Sequence, residues 1–147
     1  MSPSRRPRRP RGRGARTEPQ HTSLPTSRTA YVATREWLLD KFGPVCAYCE
    51  RRITSAAITL DHVTPRRGQN AYDRRDNLVL ACPECNAKKA DQHILAFLLA
   101  RPTRAASLLR YGGHLSGMLL DLARQIAGPE AVARAARLAD PEYPYAD

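Results

Sequence analysis

The stretch "CAYCERRITSAAITLDHVTPRRG", residues 46–68, holds two cysteines, an adjacent aspartate and histidine, and four arginines. A second stretch, "NLVLACPECNAKK" at residues 77–89, brings another pair of cysteines followed directly by Asn86. These two stretches decide the fold, because all four cysteines of the chain lie in them. They raise the question of whether the cysteines only stabilise a fold or also hold an active site between them.

The cysteines fall as two Cys-x-x-Cys pairs with 32 residues between them; they are Cys46, Cys49, Cys82 and Cys85. Each pair offers two thiolates from one tight turn, a spacing typical of a tetrahedral structural zinc site. Disulfides are the alternative, but close pairs of this kind in a cytosolic protein favour a metal. Four sulfur ligands leave no open position for a catalytic water, so any chemistry must lie elsewhere.

Residue patterns around the cysteines predict two strands and a helix. "RITSAAITLDHVTP" alternates around Ile58 and Leu60, which predicts a strand that ends near Pro65. The polar loop "RRGQNAYDRRD" separates it from "NLVLAC", a second predicted strand. "NAKKADQHILAFLLA" then predicts one helix, with these residues facing inward: Ile94, Leu95, Leu98 and Leu99. The order is strand, loop, strand, helix.

Helical patterns flank this unit on both sides. "TAYVATREWLLDKF" predicts a packing helix that Gly43 and Pro44 end. Beyond Pro102, three helical segments follow: "TRAASLLRYGG", "HLSGMLLDLARQIAG" and "PEAVARAARLAD". The middle one places the following apolar residues on one face: Leu115, Met118, Leu119, Leu122 and Ile126. Together the patterns predict an α+β fold in which helices flank a small core held by the zinc site.

Three side chains in the decisive stretches suit hydrolytic chemistry. Asp61 offers a carboxylate oxygen and Asn86 an amide oxygen, which are ligands that Mg²⁺ prefers. His62 suits a general base, since the ordinary pKa of histidine lies near neutrality. Neighbours on a regular strand point to opposite faces. Asp61 and His62 can therefore share a site only where the strand ends or bulges.

The segments "CAYC", "LDHVTP" and "DNLVLACPECNAKK" together resemble the HNH endonuclease family with its ββα-metal fold. The resemblance covers roughly residues 46–90. It implies that Asp61 and Asn86 bind a catalytic divalent ion, Mg²⁺ or another, and that His62 is the general base. It also implies that Asn77 braces the loop and helps orient the histidine. Asn86 stands where many members have histidine, and "RRGQN" replaces the glycine pair common in the family.

The implied activity is metal-dependent hydrolysis of DNA phosphodiester bonds, by nicking or double-strand cleavage, with 5′-phosphate and 3′-hydroxyl products. The expected partner is double-stranded DNA. Basic residues near the site are candidate phosphate contacts, although surface basic residues often remain solvated; the candidates are Arg66, Arg67, Lys88 and Lys89. The alternative function is a non-catalytic zinc-binding module for nucleic acid, which would need only the cysteines and basic groups.

Charge and domain organisation add the last expectations. The formal net charge is +10, of which residues 1–28 carry +7, from eight arginines and one glutamate. This Pro/Gly/Arg-rich tail has too few large apolar groups to fold, so we expect it to be disordered. It is either a phosphate clamp or a solubilising or targeting arm. Residues 29–100 are the expected nuclease domain and residues 101–147 a helical extension. Without an apolar segment for secretion or membrane insertion, we expect a cytoplasmic protein of bacterial or phage origin.

Overall fold

The computed structural model describes residues 28–65 and 73–139. Six helices and two strands occupy these residues, which confirms the α+β class. The strands are β1 (Thr59–His62) and β2 (Leu78–Ala81), and a 3₁₀ turn (Arg75–Asn77) precedes β2. The helices are α1 (Arg28–Phe42), α2 (Pro83–Lys89), α3 (Ile94–Ala100), α4 (Thr103–Tyr111), α5 (Gly117–Ala127) and α6 (Pro129–Ala139). Of residues 1–28, which we predict to be disordered, residues 1–27 lie outside the described residues, as do the candidates Arg66 and Arg67. Arg28 differs from the prediction, because it is the first residue of α1.

The two strands pair antiparallel, with Leu60 opposite Leu80 and His62 opposite Leu78. Both strands lie where the alternating patterns predict them, although β1 ends at His62 rather than near Pro65. A cluster with Leu38 of α1 covers one part of the sheet; its other buried members are Ile58, Leu60, Leu78 and Leu80. A second cluster joins Val79 and Ala81 to the cysteine turns and to helices α3, α4 and α5. The sheet is therefore buried between two apolar clusters.

Backbone carbonyl oxygens at both edges of the two-stranded sheet form hydrogen bonds with groups from other segments. Ala47 N–H donates to Leu80 O at 2.8 Å, and His114 Nε2 bonds Leu78 O at 2.7 Å. On the other edge, Lys89 Nζ donates to His62 O at 2.7 Å. A two-stranded sheet is marginally stable by itself, since its edges expose unpaired backbone groups. Here the surrounding segments supply the hydrogen bonds that further strands would make.

The helix predicted over "NAKKADQHILAFLLA" is wrong in its extent, because the structure divides it into α2 and α3. Ala90 adopts φ +45° and ends α2. The side chain of His93 accepts a hydrogen bond from Leu95 N–H at 3.1 Å, which caps α3. The inward face also differs: Phe97 is buried, whereas Leu95 and Leu99 are exposed. The break changes the direction of the chain, and α3 packs against α4 and α5. Different residues of α3 are therefore buried than one continuous helix would bury.

The three C-terminal helices form as predicted, and α4 and α5 share the core of the preceding segment. Leu108 of α4 and Ala123 of α5 lie in the same buried cluster as the cysteines. The core therefore runs across the expected domain boundary at residue 100. Met118, predicted to face inward, is 79% exposed, because α5 begins only at Gly117 and turns this side chain outward.

Gly112 and Gly113 end α4 and provide a test of this packing. A Cβ at Gly112 would meet Leu108 O at 2.6 Å and Leu115 Cδ1 at 2.8 Å, whereas a Cβ at Gly113 would meet nothing within 4 Å. Gly112→Ala should therefore lower the free energy of unfolding by about 1–3 kcal/mol through overpacking. Gly113→Ala should stay within about 0.5 kcal/mol of the parent protein. Urea denaturation measures both, and equal stabilities would contradict the close packing at Gly112.

Candidate functional site

The four cysteines converge from two turns of the chain. Their Sγ atoms all lie within 4.8 Å of one another, and those of Cys49 and Cys82 are 3.8 Å apart. Cys82 also caps α2, since its Sγ accepts a hydrogen bond from Cys85 N–H at 3.4 Å. All four thiols are free of disulfides. A single metal ion could therefore contact all four sulfurs.

Burial makes two of these thiols less acidic. It raises the pKa of Cys46 to about 11 and raises that of Cys85 as well. Burial also acts to raise the pKa of Cys82, but hydrogen bonds from Cys85 and the neighbouring thiols together lower it. Metal binding needs thiolates and so releases protons. A bound cation would stabilise the thiolate charges that burial disfavours.

Asp61 lies in β1 and is only 2% exposed. Its Oδ2 atom accepts a hydrogen bond from the Tyr48 hydroxyl at 2.6 Å. The same oxygen lies 3.2 Å from Nζ of Lys89. Tyr48 comes from the first cysteine turn and Lys89 from the last turn of α2. The carboxylate is therefore held between two segments that the cysteine cluster fixes.

Asp61 and Lys89 each oppose the effect of burial on the other's pKa, whereas the Asp61 charge adds to the effect of burial on the pKa of Tyr48. Burial raises the pKa of Asp61, while the Lys89 ammonium and the Tyr48 hydroxyl act to lower it. Burial lowers the pKa of Lys89, and the Asp61 carboxylate acts in the opposite direction. Tyr48 has a pKa well above its ordinary value because of burial and of the Asp61 charge. The hydroxyl therefore stays protonated and remains a donor to Asp61.

His62 is the last residue of β1 and is also only 2% exposed. Its Nε2 atom lies 2.9 Å from Oδ1 of Asp73, within hydrogen-bond distance. Asp61 and His62 thus have different side-chain partners, as strand alternation requires. They meet through Lys89, which contacts the carboxylate of Asp61 and donates to the carbonyl oxygen of His62. The end of β1 therefore brings a carboxylate and a carboxylate-paired imidazole into one buried cluster.

Asn77 holds the chain that follows β1. Its Oδ1 atom accepts a hydrogen bond from Thr64 N–H at 2.8 Å, and its Nδ2 donates to Thr64 O at 3.0 Å. Its backbone carbonyl accepts from Val63 N–H at 2.9 Å. Since Val63 and Thr64 directly follow His62, these bonds fix the exit of the chain from β1. Asn77 therefore holds the segment that directly follows His62 in place.

Asn86 lies in α2 on the side of β1 that carries Asp61. Its Nδ2 donates to Oγ1 of Thr59 at 3.1 Å, and Thr59 shares a strand face with Asp61, two residues on. Lys89, three residues after Asn86, is its neighbour on the helix and contacts Asp61. Facing segments therefore supply a carboxylate and an amide oxygen. These hard oxygen donors fit a divalent cation such as Mg²⁺.

The candidate phosphate contacts divide between exposed and buried positions. Lys88 is exposed on α2, as a DNA contact requires. Lys89 is only 1% exposed, with its ammonium bonded to His62 O and paired with Asp61. This placement differs from the expected surface contact, because the charge of Asp61 draws the ammonium into the interior. Lys89 is thus a structural partner of the site in this fold.

Sequence reasoning missed two contacts of the site residues. The sequence patterns assigned no contact with Asp61 to Tyr48 and no contact with His62 to Asp73. Tyr48 carried one usable signal, a tyrosine between two metal-ligating cysteines whose buried hydroxyl would need a partner. Asp73 carried none, because its distance along the sequence from His62 does not indicate that the loop brings the two together.

The family comparison identifies the central segment. Residues 46–92 match the family model described as HNH endonuclease. This segment, which holds the cysteine cluster and the Asp61 cluster, is therefore an HNH endonuclease domain. The match confirms the resemblance that the sequence motifs indicate.

Two curated relatives are CRISPR-associated endonucleases Cas9. The protein from Corynebacterium diphtheriae is 44% identical over 46 residues, 31% of this chain and 4% of the relative. The protein from Actinomyces naeslundii is 38% identical over 53 residues, 36% of this chain and 5% of the relative. The matched parts are thus small fractions of much longer proteins.

A solved structure, of the Type II-C Cas9 enzyme from Actinomyces naeslundii, superposes with a TM-score of 0.45 at 24% identity. The superposition covers 73% of this chain and 11% of that chain.

The Asp61–Lys89 pair yields a stability test. Lys89→Met should lower the free energy of unfolding by about 3–5 kcal/mol, because it leaves a buried carboxylate without its cation. Burial raises the pKa of Asp61, so the loss should shrink as the pH falls and the carboxyl takes up a proton. Lys88→Met, at an exposed neighbouring position, is the control and should change stability by at most about 0.5 kcal/mol. Urea denaturation across the acidic pH range measures both, and equal losses would contradict the buried pair.

Proposed function

We propose that this chain is a metal-dependent HNH endonuclease that hydrolyses DNA phosphodiester bonds. One observation carries the proposal: within the HNH domain, the end of β1 presents Asp61 and His62 beside the helix that carries Asn86. A non-catalytic nucleic-acid module has no use for a buried carboxylate, imidazole and amide in this arrangement. The two relatives named as endonucleases support the same class. Both relatives come from bacteria, which supports a bacterial or phage origin for this chain. We therefore propose that the protein acts in the bacterial cytoplasm, where the DNA lies.

Asp61 and Asn86 are the residues that would hold the catalytic divalent ion, Mg²⁺ or another. When bound, the ion stabilises negative charge on the phosphate and on the departing oxygen. Within the protein, Tyr48 and Lys89 both contact Oδ2 of Asp61, which fixes the direction of the carboxylate. Oγ1 of Thr59 accepts a hydrogen bond from the amide nitrogen of Asn86, so this bond does not use the amide oxygen, which can serve as a ligand.

His62 is the proposed general base. Its Nε2 atom lies 2.9 Å from the Asp73 carboxylate, so the carboxylate favours the tautomer whose proton is on Nε2. The other ring nitrogen, Nδ1, then takes a proton from the attacking water. Asp73 also stabilises the imidazolium that forms, as a carboxylate does in other His–Asp pairs. Asn77 fixes the chain after His62 through Thr64 and so limits movement of the base.

Zinc is the proposed ion of the cysteine cluster. Zn–S bonds of about 2.3 Å in a tetrahedron place the sulfurs roughly 3.8 Å apart. The Cys49 and Cys82 sulfurs are 3.8 Å apart. The four thiolates would supply all the ligands of this ion, which would give it a structural role separate from that of the divalent ion at Asp61.

Double-stranded DNA is the proposed substrate. The exposed Lys88 lies on the same helix as Asn86, where its ammonium can contact a backbone phosphate. Arg66 and Arg67 follow the segment that Asn77 braces, and we propose them as further phosphate contacts. The arginine-rich residues 1–28 would add affinity that falls as the salt concentration rises.

His62→Ala tests the base. Cleavage should slow by roughly 10²–10⁴-fold, as is typical when general-base catalysis is lost. His93→Ala is the control: His93 is exposed and caps α3, so its loss should cost about 1 kcal/mol of stability and leave the rate unchanged. The measurement is relaxation and linearisation of supercoiled plasmid with Mg²⁺ or Mn²⁺, with EDTA as the blank. Wild-type turnover by His62→Ala would remove this residue from the mechanism.

The same assay separates the enzyme from the alternative function. DNA binding by the wild-type protein without EDTA-sensitive cleavage would favour a non-catalytic zinc-binding module.

Two further substitutions separate the proposed metals. Cys82→Ser should lower zinc content and thermal stability together, because structural zinc binding contributes directly to folding. Asp61→Ala should abolish cleavage that depends on Mg²⁺ and should lower the free energy of unfolding, because the buried Lys89 loses its counter-charge. The folded fraction of this variant should keep zinc at the wild-type level. Elemental analysis, thermal unfolding and plasmid cleavage measure the three quantities. Equal loss of zinc in both variants would contradict the division into a structural and a catalytic site.

A further inference from the structure

Tyr48 links the two proposed metal sites through its position in the chain. It lies between Cys46 and Cys49, and its hydroxyl donates to Oδ2 of Asp61 at 2.6 Å. The side chain is only 1% exposed, so water does not compete for this hydrogen bond. A short bond from a buried phenol restricts rotation of the carboxylate.

The ring of Tyr48 packs against α3. Phe97 of α3 packs edge-on against it, with the ring centroids 5.1 Å apart and the planes at 89°. Arg104 of α4 in turn covers Phe97, with its guanidinium carbon 3.8 Å from the ring centroid and an N–H bond to Phe97 O at 2.8 Å. The C-terminal helices therefore support the residue that orients Asp61.

The cysteine turn fixes Tyr48 along the backbone. Glu50 N–H donates to Cys46 O at 2.9 Å, and Cys46 N–H donates to Arg51 O at 3.0 Å, which close a tight turn around the tyrosine. Ala47, the residue directly before Tyr48, donates its backbone N–H to the carbonyl oxygen of Leu80 in β2. An ion bound by the cysteines would hold this turn against the sheet and keep the hydroxyl at its place.

The contact between Lys89 and Asp61 depends on the second pair of cysteines, Cys82 and Cys85. Lys89 lies in the helix that Cys82 caps and that contains Cys85. Both groups that touch Asp61 Oδ2 thus come from segments that carry cluster cysteines. One ion at the cysteines would fix the two partners of the carboxylate at once.

We propose that Tyr48 is a positioning residue through which the cysteine cluster sets the affinity of Asp61 for the divalent ion. The inference rests on the proposed function, because it assigns Asp61 to that ion. Hydrogen bonds to ligating carboxylates orient them, and their loss typically weakens metal binding by roughly 10–100-fold. Tyr48 would act only through Asp61, without contact to the substrate.

Tyr48→Phe in the full chain is the test, because it removes one oxygen and keeps the ring that packs on Phe97. Calorimetric titration of the DNA-free protein with Mn²⁺ should show that the variant binds Mn²⁺ about 10–100-fold more weakly than the wild type does. Zinc content should equal that of the wild type, and excess Mn²⁺ should restore the cleavage rate. Tyr111→Phe is the matched control: this half-buried tyrosine packs against Phe42 in α1 and should leave Mn²⁺ affinity unchanged.

The outcomes separate this inference from the proposed function. Wild-type Mn²⁺ affinity in Tyr48→Phe, with Asp61→Ala unable to bind Mn²⁺, would overturn the inference and leave the ion site standing. Loss of zinc from Tyr48→Phe would also overturn it, since the hydroxyl would then serve the cluster instead of Asp61. Equal Mn²⁺ binding by wild type and Asp61→Ala would overturn the proposed ion site, and the inference with it. Adding Tyr48→Phe to Asp61→Ala should cause no further loss.

Discussion

Burying the carboxylate of Asp61 is the constraint on which the surrounding structure depends. An isolated charge in a protein interior is costly unless a counter-charge and hydrogen bonds compensate it. Lys89 supplies the charge and Tyr48 the hydrogen bond, and both are themselves buried. Each group is acceptable in the interior only because the others are present. The positions of the first cysteine turn, β1 and α2 are therefore coupled through one cluster of three side chains.

The cysteine cluster and the apolar core make this arrangement possible in a small protein. Two strands of four residues each cannot bury a charged group by themselves, since a two-stranded sheet is only marginally stable. The cluster ties the first turn to α2, while α3, α4 and α5 cover the remaining face. Within the described residues, no helix is long and apolar enough to cross a membrane. The C-terminal helices thus complete the core around the HNH domain and support Tyr48 through Phe97 and Arg104.

Local sequence patterns predicted most of the fold, but they predicted one helix where the chain forms the two helices α2 and α3. Both strands and the flanking helices follow from apolar periodicity, which is a local property. The helix break at Ala90 was missed because "KADQH" contains no glycine or proline, and only the cap made by His93 restarts the helix. The apolar phase of α3 then shifted, so Phe97 replaced Leu95 and Leu99 on the buried face.

The sequence by itself determined the chemistry available: four cysteines at metal-binding spacing, the Asp61–His62 pair, Asn77 and Asn86 within one recognisable domain. Residue type and spacing carry that information, because ligand chemistry depends on which atoms a side chain offers. Only the tertiary structure decided the partners. It turned Lys89 inward to Asp61, joined Tyr48 to the same carboxylate and brought Asp73 to His62. These contacts join residues 11 to 28 positions apart, and the balance between burial cost and charge pairing selects them, which no local pattern records.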